Sequence, residues 1–232
     1  MELLILCGTA AALAVGHTIV GVDHTLPFIL VARASHWSLA RLWTVTAACG
    51  LAHVAGTVLI ASAGVALGEA LEGLLAIEAA RGSLAAWLLV AFGFGYAALA
   101  CARTLRGRKH EHEHTHGDGT MHAHEHGHGG QHAHVHAARA SLPALALFVL
   151  FVFGPCEFMV APLVAAGAFG WPAVALVSVV FGAVTIATML ALVTVGHLGL
   201  ARFRAAWVER HVHTLAGLGI AAAGLAIVVL GV

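Results

Sequence analysis

The chain has 232 residues, of which 60% are hydrophobic and 9% charged, with a mean hydropathy of +0.94. Soluble domains carry about 25% charged residues, so this composition excludes a water-soluble globule and points to a lipid bilayer as partner. Eleven basic residues against eleven acidic ones leave no net charge to hold a nucleic acid, and none is expected as a partner.

In chain order, apolar runs of the roughly 20 residues needed to cross a hydrocarbon core fall at residues 3–22, 42–63, 84–103, 142–168, 174–194 and 215–232. They are rich in Ala, Leu, Val and Gly, as packed membrane helices are, and lack the alternation of a membrane barrel. The expected fold is an all-α integral membrane protein of six transmembrane helices. No basic segment precedes the first run and no small-residue cleavage site follows it, so it reads as a retained helix and not as a cleaved signal.

The first run ends in a dense set of N and O donors: His17, Thr18, Asp23, His24 and Thr25, with Gly21 and Pro27 among them. Imidazole together with carboxylate suits nickel, cobalt, zinc and iron. His17 and His24 would be separated by about 10 Å of rise on a straight helix, so they can grip one ion only where the helix unwinds. Gly21 and Pro27 supply a place for such a break. In the second run His53 stands four residues before Thr57, on the same helix face, and is the candidate third nitrogen. Glu69, Glu72, Glu78 and Arg81 fall between the second and third runs and read as a connection, which leaves no Arg or Lys expected inside the helices.

Between the third and fourth runs lie His110, His112, His114, His116, His122, His124, His126, His128, His132, His134 and His136, eleven of the eighteen histidines, with Gly, Glu and Asp between them. This reads as a solvated low-complexity loop that collects Zn, Ni, Co or Cu without a fixed geometry. The fourth run holds Gly154, Pro155, Cys156, Glu157 and Pro162. Asp23 and Glu157 read as the two acids within apolar spans, where an unpaired charge costs at least about 2.5 kcal/mol. The plainer reading puts Asp23 at the membrane surface and makes Glu157 a neutral carboxyl hydrogen-bonded inside the bundle. Cys7, Cys49, Cys101 and Cys156 form no CxxC pair and read mostly as packing residues. His36, His197, His211 and His213 read as interfacial.

Arg33, Arg41, Arg103, Arg106, Arg108, Lys109, Arg139, Arg202, Arg204 and Arg210 all fall on one side of the six-helix arrangement, and only Arg81 is opposite. The positive-inside rule then puts both termini outside and the His-rich loop in the cytoplasm of a cell whose inner membrane the chain spans. The halves also correspond. Gly21, Asp23, His24 and Pro27 match Gly154, Pro155, Cys156, Glu157 and Pro162, while Gly50, His53 and Thr57 match Gly182, Thr185 and Thr188. With three helices in each half, the halves enter the membrane from opposite faces, as in transporters built from two inverted three-helix repeats with broken helices and a midplane site. The division is residues 1–103, the loop 104–140, and 141–232.

His17 with the Asp23-His24 pair, the Gly50-Leu51-Ala52-His53 stretch, and Gly154-Pro155-Cys156-Glu157 followed by Pro162 resemble the signature helices of NicO-type nickel/cobalt permeases and related urease-accessory membrane proteins. The His-rich loop is similar to the one in efflux members. The resemblance implies a secondary transporter and no enzymatic activity. Ni2+ or Co2+, or else Zn2+, would pass a site formed by His17, Asp23, His24, His53, Cys156 and Glu157, with no permanently bound cofactor. A second copy of the chain or a cytoplasmic metal-delivery protein are the implied protein partners. Five residues separate His17 from Asp23, where the better-known signature has four. The wider superfamily keeps two alternatives open: a membrane thiol-disulfide electron carrier, with Cys156 as its reactive thiol, and an exporter of a small sulfur-containing substrate. A His-loop zinc exporter of another fold is a third.

Overall fold

The computed structural model describes residues 1–106, 113–115, 121–123, 142–200, 202 and 206–230. The first apolar run forms α1, Glu2–Val20, but the span does not stop there. After Gly21 the chain makes a single 3₁₀ turn, Val22–His24, and re-enters a helix, α2, Leu26–Ala34. Pro27 sits in the first turn of α2, where its missing N–H removes no helical bond. The expected boundary at residue 22 is therefore corrected: Asp23 and His24 lie in an interruption between two helical pieces.

The next helix, α3, runs Leu39–Leu67. Its N-cap Ser38 accepts a bond from the Arg41 amide at 3.3 Å, and its C-cap Gly68 has φ +70, a left-handed conformation natural to glycine. The following helix, α4, spans Leu71–Arg106. Glu72, Glu78 and Arg81, read as part of a connection, lie in its first three turns, while Glu69 stays outside it, so Arg81 lies inside a helix. Charges ended the apolar run, but an acid and a base three residues apart neutralise each other on one helix face, and the helix continues through them.

In the His-rich loop the described residues form two short antiparallel strands, β1 Glu113–Thr115 and β2 Met121–Ala123, with His114 opposite His122. His110, His112, His116, His124, His126, His128, His132, His134 and His136 lie outside the described residues. The fourth run is two helices, α5 Leu142–Phe153 and α6 Glu157–Gly167, bent by 46° at Gly154-Pro155-Cys156. Then come α7, Trp171–Leu200, and α8, Ala206–Leu230. Five described helices are long and apolar enough to cross a membrane, and the bent pair taken as one span makes six. The chain is an all-α, multi-span membrane protein.

Each half thus repeats one order of elements, two helical pieces separated by an interruption and then two long helices. Tertiary contacts follow the same exchange: α3 packs on α7 and α4 on α8, while α1 against α7 is mirrored by α5 against α3. In the α3–α7 seam, Gly50 faces Ile186 while Gly182 faces Val54. In the α4–α8 seam, Gly93 faces Ala221 while Gly217 faces Ala97, with no room for a Cβ at either glycine. As numbering rises along one helix it falls along its partner, so the paired helices are antiparallel. Small residues at these crossings bring the backbones together, the usual means of helix association in lipid.

Candidate metal centre

His53 stands at the middle of the 29-residue α3, so it lies near mid-depth in the bundle. The break after α1 brings two further imidazoles to it. Gly21 allows this turn because a Cβ there would collide with the His24 ring. The His17 and His24 rings consequently meet edge-on with centroids 4.4 Å apart, although they stand seven positions apart in the chain. His24 and His53 are 5.0 Å apart in the same edge-on manner, and His17 stacks parallel to His53 at 5.9 Å. One ligand nitrogen from each of His17, His24 and His53 falls within 4.8 Å of the other two. His24 and His53 are each 1% exposed.

Asp23 acts on this group through His24, whose Nδ1 lies 3.0 Å from Asp23 Oδ1. A carboxylate only accepts, so the proton rests on Nδ1 and the Nε2 lone pair faces the centre of the triad. Such carboxylate–imidazole pairs fix the tautomer and raise the basicity of metal-binding histidines. His24 Nε2 is 3.4 Å from His53 Nε2. Two nitrogens bound to one tetrahedral ion at 2.0–2.1 Å stand about 3.4 Å apart, so this separation fits a shared cation. His17 Nε2 and His53 Nδ1 are buried and find no hydrogen-bond partner among the described residues. An orphaned buried acceptor costs about 1–3 kcal/mol, which binding a cation through the His17 nitrogen would offset.

Aromatic rings dry the site on one side. Phe158 lies 5.3 Å from His17, and Phe151 lies 6.0 Å from His24 and 5.9 Å from His53. A cavity of about 510 Å³, which Phe151 and Phe158 also line, reaches the three histidines, Asp23 and Glu157. It is bounded by the first half of α4, around Gly82 and Ala86, and by the last turns of α8 at Ile227 and Val228. In the loop-bearing half of the bundle, Phe28, Val31, Leu42, Met189, Val193 and Ile220 form a closed apolar cluster. Beyond it Arg33 donates to the Leu200 carbonyl and to Glu209, each at 2.7 Å, tying α2 to α7 and α8.

No protein-family model matches the chain. Neither does any curated protein or solved structure. The geometry alone therefore says that this multi-span membrane protein carries a buried histidine triad that could hold a metal ion.

The other two residues implied as ligands are placed differently. Cys156 is fully buried, and its amide donates to Glu78 Oε2 at 2.9 Å; it does not belong to the triad. Glu157 opens the first turn of α6, is exposed and lines the cavity, so it is not the hydrogen-bonded interior carboxyl of the plainer reading. The acid sealed inside the bundle is Glu78, 0% exposed and paired with Arg81, which the sequence reading assigned to a connection. The signal was present as an acid and a base three apart between the apolar stretches Leu74 to Ile77 and Leu84 to Val90.

Proposed function

We propose that the chain is a secondary transporter, not an enzyme, that carries a divalent transition metal, Ni2+ or Co2+ before Zn2+, across the cytoplasmic membrane. The observation that carries the reading is the meeting of His17, His24 and His53 at mid-depth, two of them delivered by the interrupted first span. Three imidazoles form a borderline donor set that suits nickel, cobalt and zinc. A site between helix breaks of inverted halves is also where alternating access needs its ligand. Resemblance to NicO-type permeases favours nickel and cobalt among these ions.

The His triad binds the ion, with Asp23 holding His24 in the tautomer that can ligate. Glu157, on the cavity wall, attracts the cation on its way to the nitrogens. The cavity, bounded by the first half of α4 and the last turns of α8, fits a state open toward the face distal to the His-rich loop. With the positive-inside orientation this is the outer face, and the loop buffers metal on the cytoplasmic side. Protons displaced from or returned to the imidazoles couple transport to pH, because His ligates only when neutral. The redox alternative is less well supported: all four cysteines are free thiols, and Cys156 is sealed in the packing around the α5–α6 break.

Flux into proteoliposomes loaded with a metal-sensitive dye tests the reading. Wild type should move Ni2+ or Co2+, and His24→Ala combined with His53→Ala should abolish flux in a protein that still elutes as a single folded species. Absence of flux from wild type for Ni2+, Co2+ and Zn2+ alike would sink it.

A further inference from the structure

Glu78 and Arg81 are the charged residues most deeply set in α4, and nothing in the metal reading uses them. Their partners define what they do. The Glu78 carboxylate pairs with Arg81 Nη1 and accepts from the Cys156 amide at 2.9 Å and the Thr57 hydroxyl at 3.1 Å. Arg81 Nη2 donates to the carbonyls of Val152 and Gly154, each at 3.1 Å, and Nη1 reaches Thr57 Oγ1 at 3.3 Å.

These backbone groups belong to the break between α5 and α6. Val152 and Gly154 carry carbonyls that α5 leaves unpaired at its C-terminus, and Cys156 carries an amide that α6 leaves unpaired at its N-terminus. The cation therefore meets the negative end of one helix and the anion the positive end of the next. In hydrocarbon such groups have no water to fall back on. One ion pair thus supplies partners to both sides of the interruption, and through Thr57 it is pinned to α3, one turn beyond His53.

The break so held is a wall of the metal centre. Phe151, before it, packs on His24 and His53. Phe158, after it, packs on His17. A Cβ on Gly154, within it, would stand 3.0 Å from His53 Nδ1. We infer that Glu78 and Arg81 are positioning residues for the metal centre, an internal lock that holds the α5–α6 break and thereby the orientation of the three imidazoles. This rests on the metal reading above.

The test uses the full-length protein purified in detergent, with Co2+ as the probe. Arg81→Lys keeps the charge, but one ammonium cannot span Glu78 and two carbonyls as the planar guanidinium does. Thr57→Val removes the shared hydroxyl at nearly constant volume and leaves no unpaired charge. Two readouts are taken: the visible ligand-field spectrum and affinity of bound Co2+, and, without metal, the alkylation rate of Cys156 read by peptide mass spectrometry.

Arg81→Lys should shift the Co2+ bands and weaken binding by about tenfold, as loss of an orienting partner does. It should also speed Cys156 alkylation by about tenfold as the break opens locally. Thr57→Val should move both readouts in the same direction by about two- to threefold, and it carries the test if Arg81→Lys does not fold. A faster alkylation with an unchanged Co2+ spectrum and affinity would reduce the pair to a structural brace and overturn the positioning role, as would no change in either. Wild type that binds no Co2+ would overturn the metal reading and the positioning role with it, while the alkylation rates would still report separately on the lock.

Discussion

At the scale of single residues, Asp23 and His24 divide the work that the sequence suggested they would share. Asp23 is 27% exposed at its side chain and touches His24 Nδ1, so its charge would reach an ion held by the triad through the imidazole. Asp23→Asn should therefore lower Co2+ affinity by about 10–100-fold without abolishing binding. His24→Ala or His53→Ala should leave no measurable binding, and isothermal titration separates the two cases. Binding should also weaken as pH falls through the imidazole range, because each ligating nitrogen must lose its proton. The histidines could be found from residue type alone, since imidazoles and an acid in an apolar run demand an explanation. Glu78 could not be found that way. A charge cluster read along the chain looks solvated, and only the arrival of Thr57 and Cys156 from other elements makes this one interior.

At the scale of elements, the interruptions matter more than the helices. Gly21 and Pro27 announced the first break, yet the apolar helix beyond it, α2, was not anticipated. A nine-residue helix is too short to register as a span, although it completes the first one. The second break was legible as Gly154-Pro155, because proline lacks the amide a helix interior needs. The long helices were found, but charged and polar residues hid three turns of α4, the last six residues of α7, and the first nine residues of α8, which begins at Ala206 and not at 215. The close crossings carry a distinct prediction. Gly93→Val or Gly217→Val inserts side-chain atoms where backbone atoms of the partner helix already stand, and should destabilise by about 1–3 kcal/mol or more. Gly95, two residues from Gly93, has open space around it, so Gly95→Val should change little. Thermal unfolding of the three variants in one detergent makes the comparison, and equal shifts would contradict the packing described.

At the scale of the whole molecule, both helix interruptions lie beside the same histidine group, which the cavity reaches. The His-rich loop stands apart from this frame in sequence and in composition. Deletion of residues 110–136 should leave thermal stability and maximal flux close to wild type while shifting the metal concentration that gives half-maximal flux. A loop deletion that abolished flux would instead make the loop part of the route.

Bilayer residence, helix content, the two breaks and the set of histidines were determined by the sequence itself, because each depends on composition or on short-range spacing. Three things were decided only by tertiary structure: that His17, His24 and His53 meet while Cys156 stays outside the group; that Asp23 pairs with the His24 ring; and that Glu78 and Arg81 are interior groups hydrogen-bonded to a backbone break. The physical reason is the same in each case. A side chain's chemistry is read from its type, but its partner comes from another helix, and helix pairing in lipid is set by close packing of small residues over the whole bundle, not by a local signal.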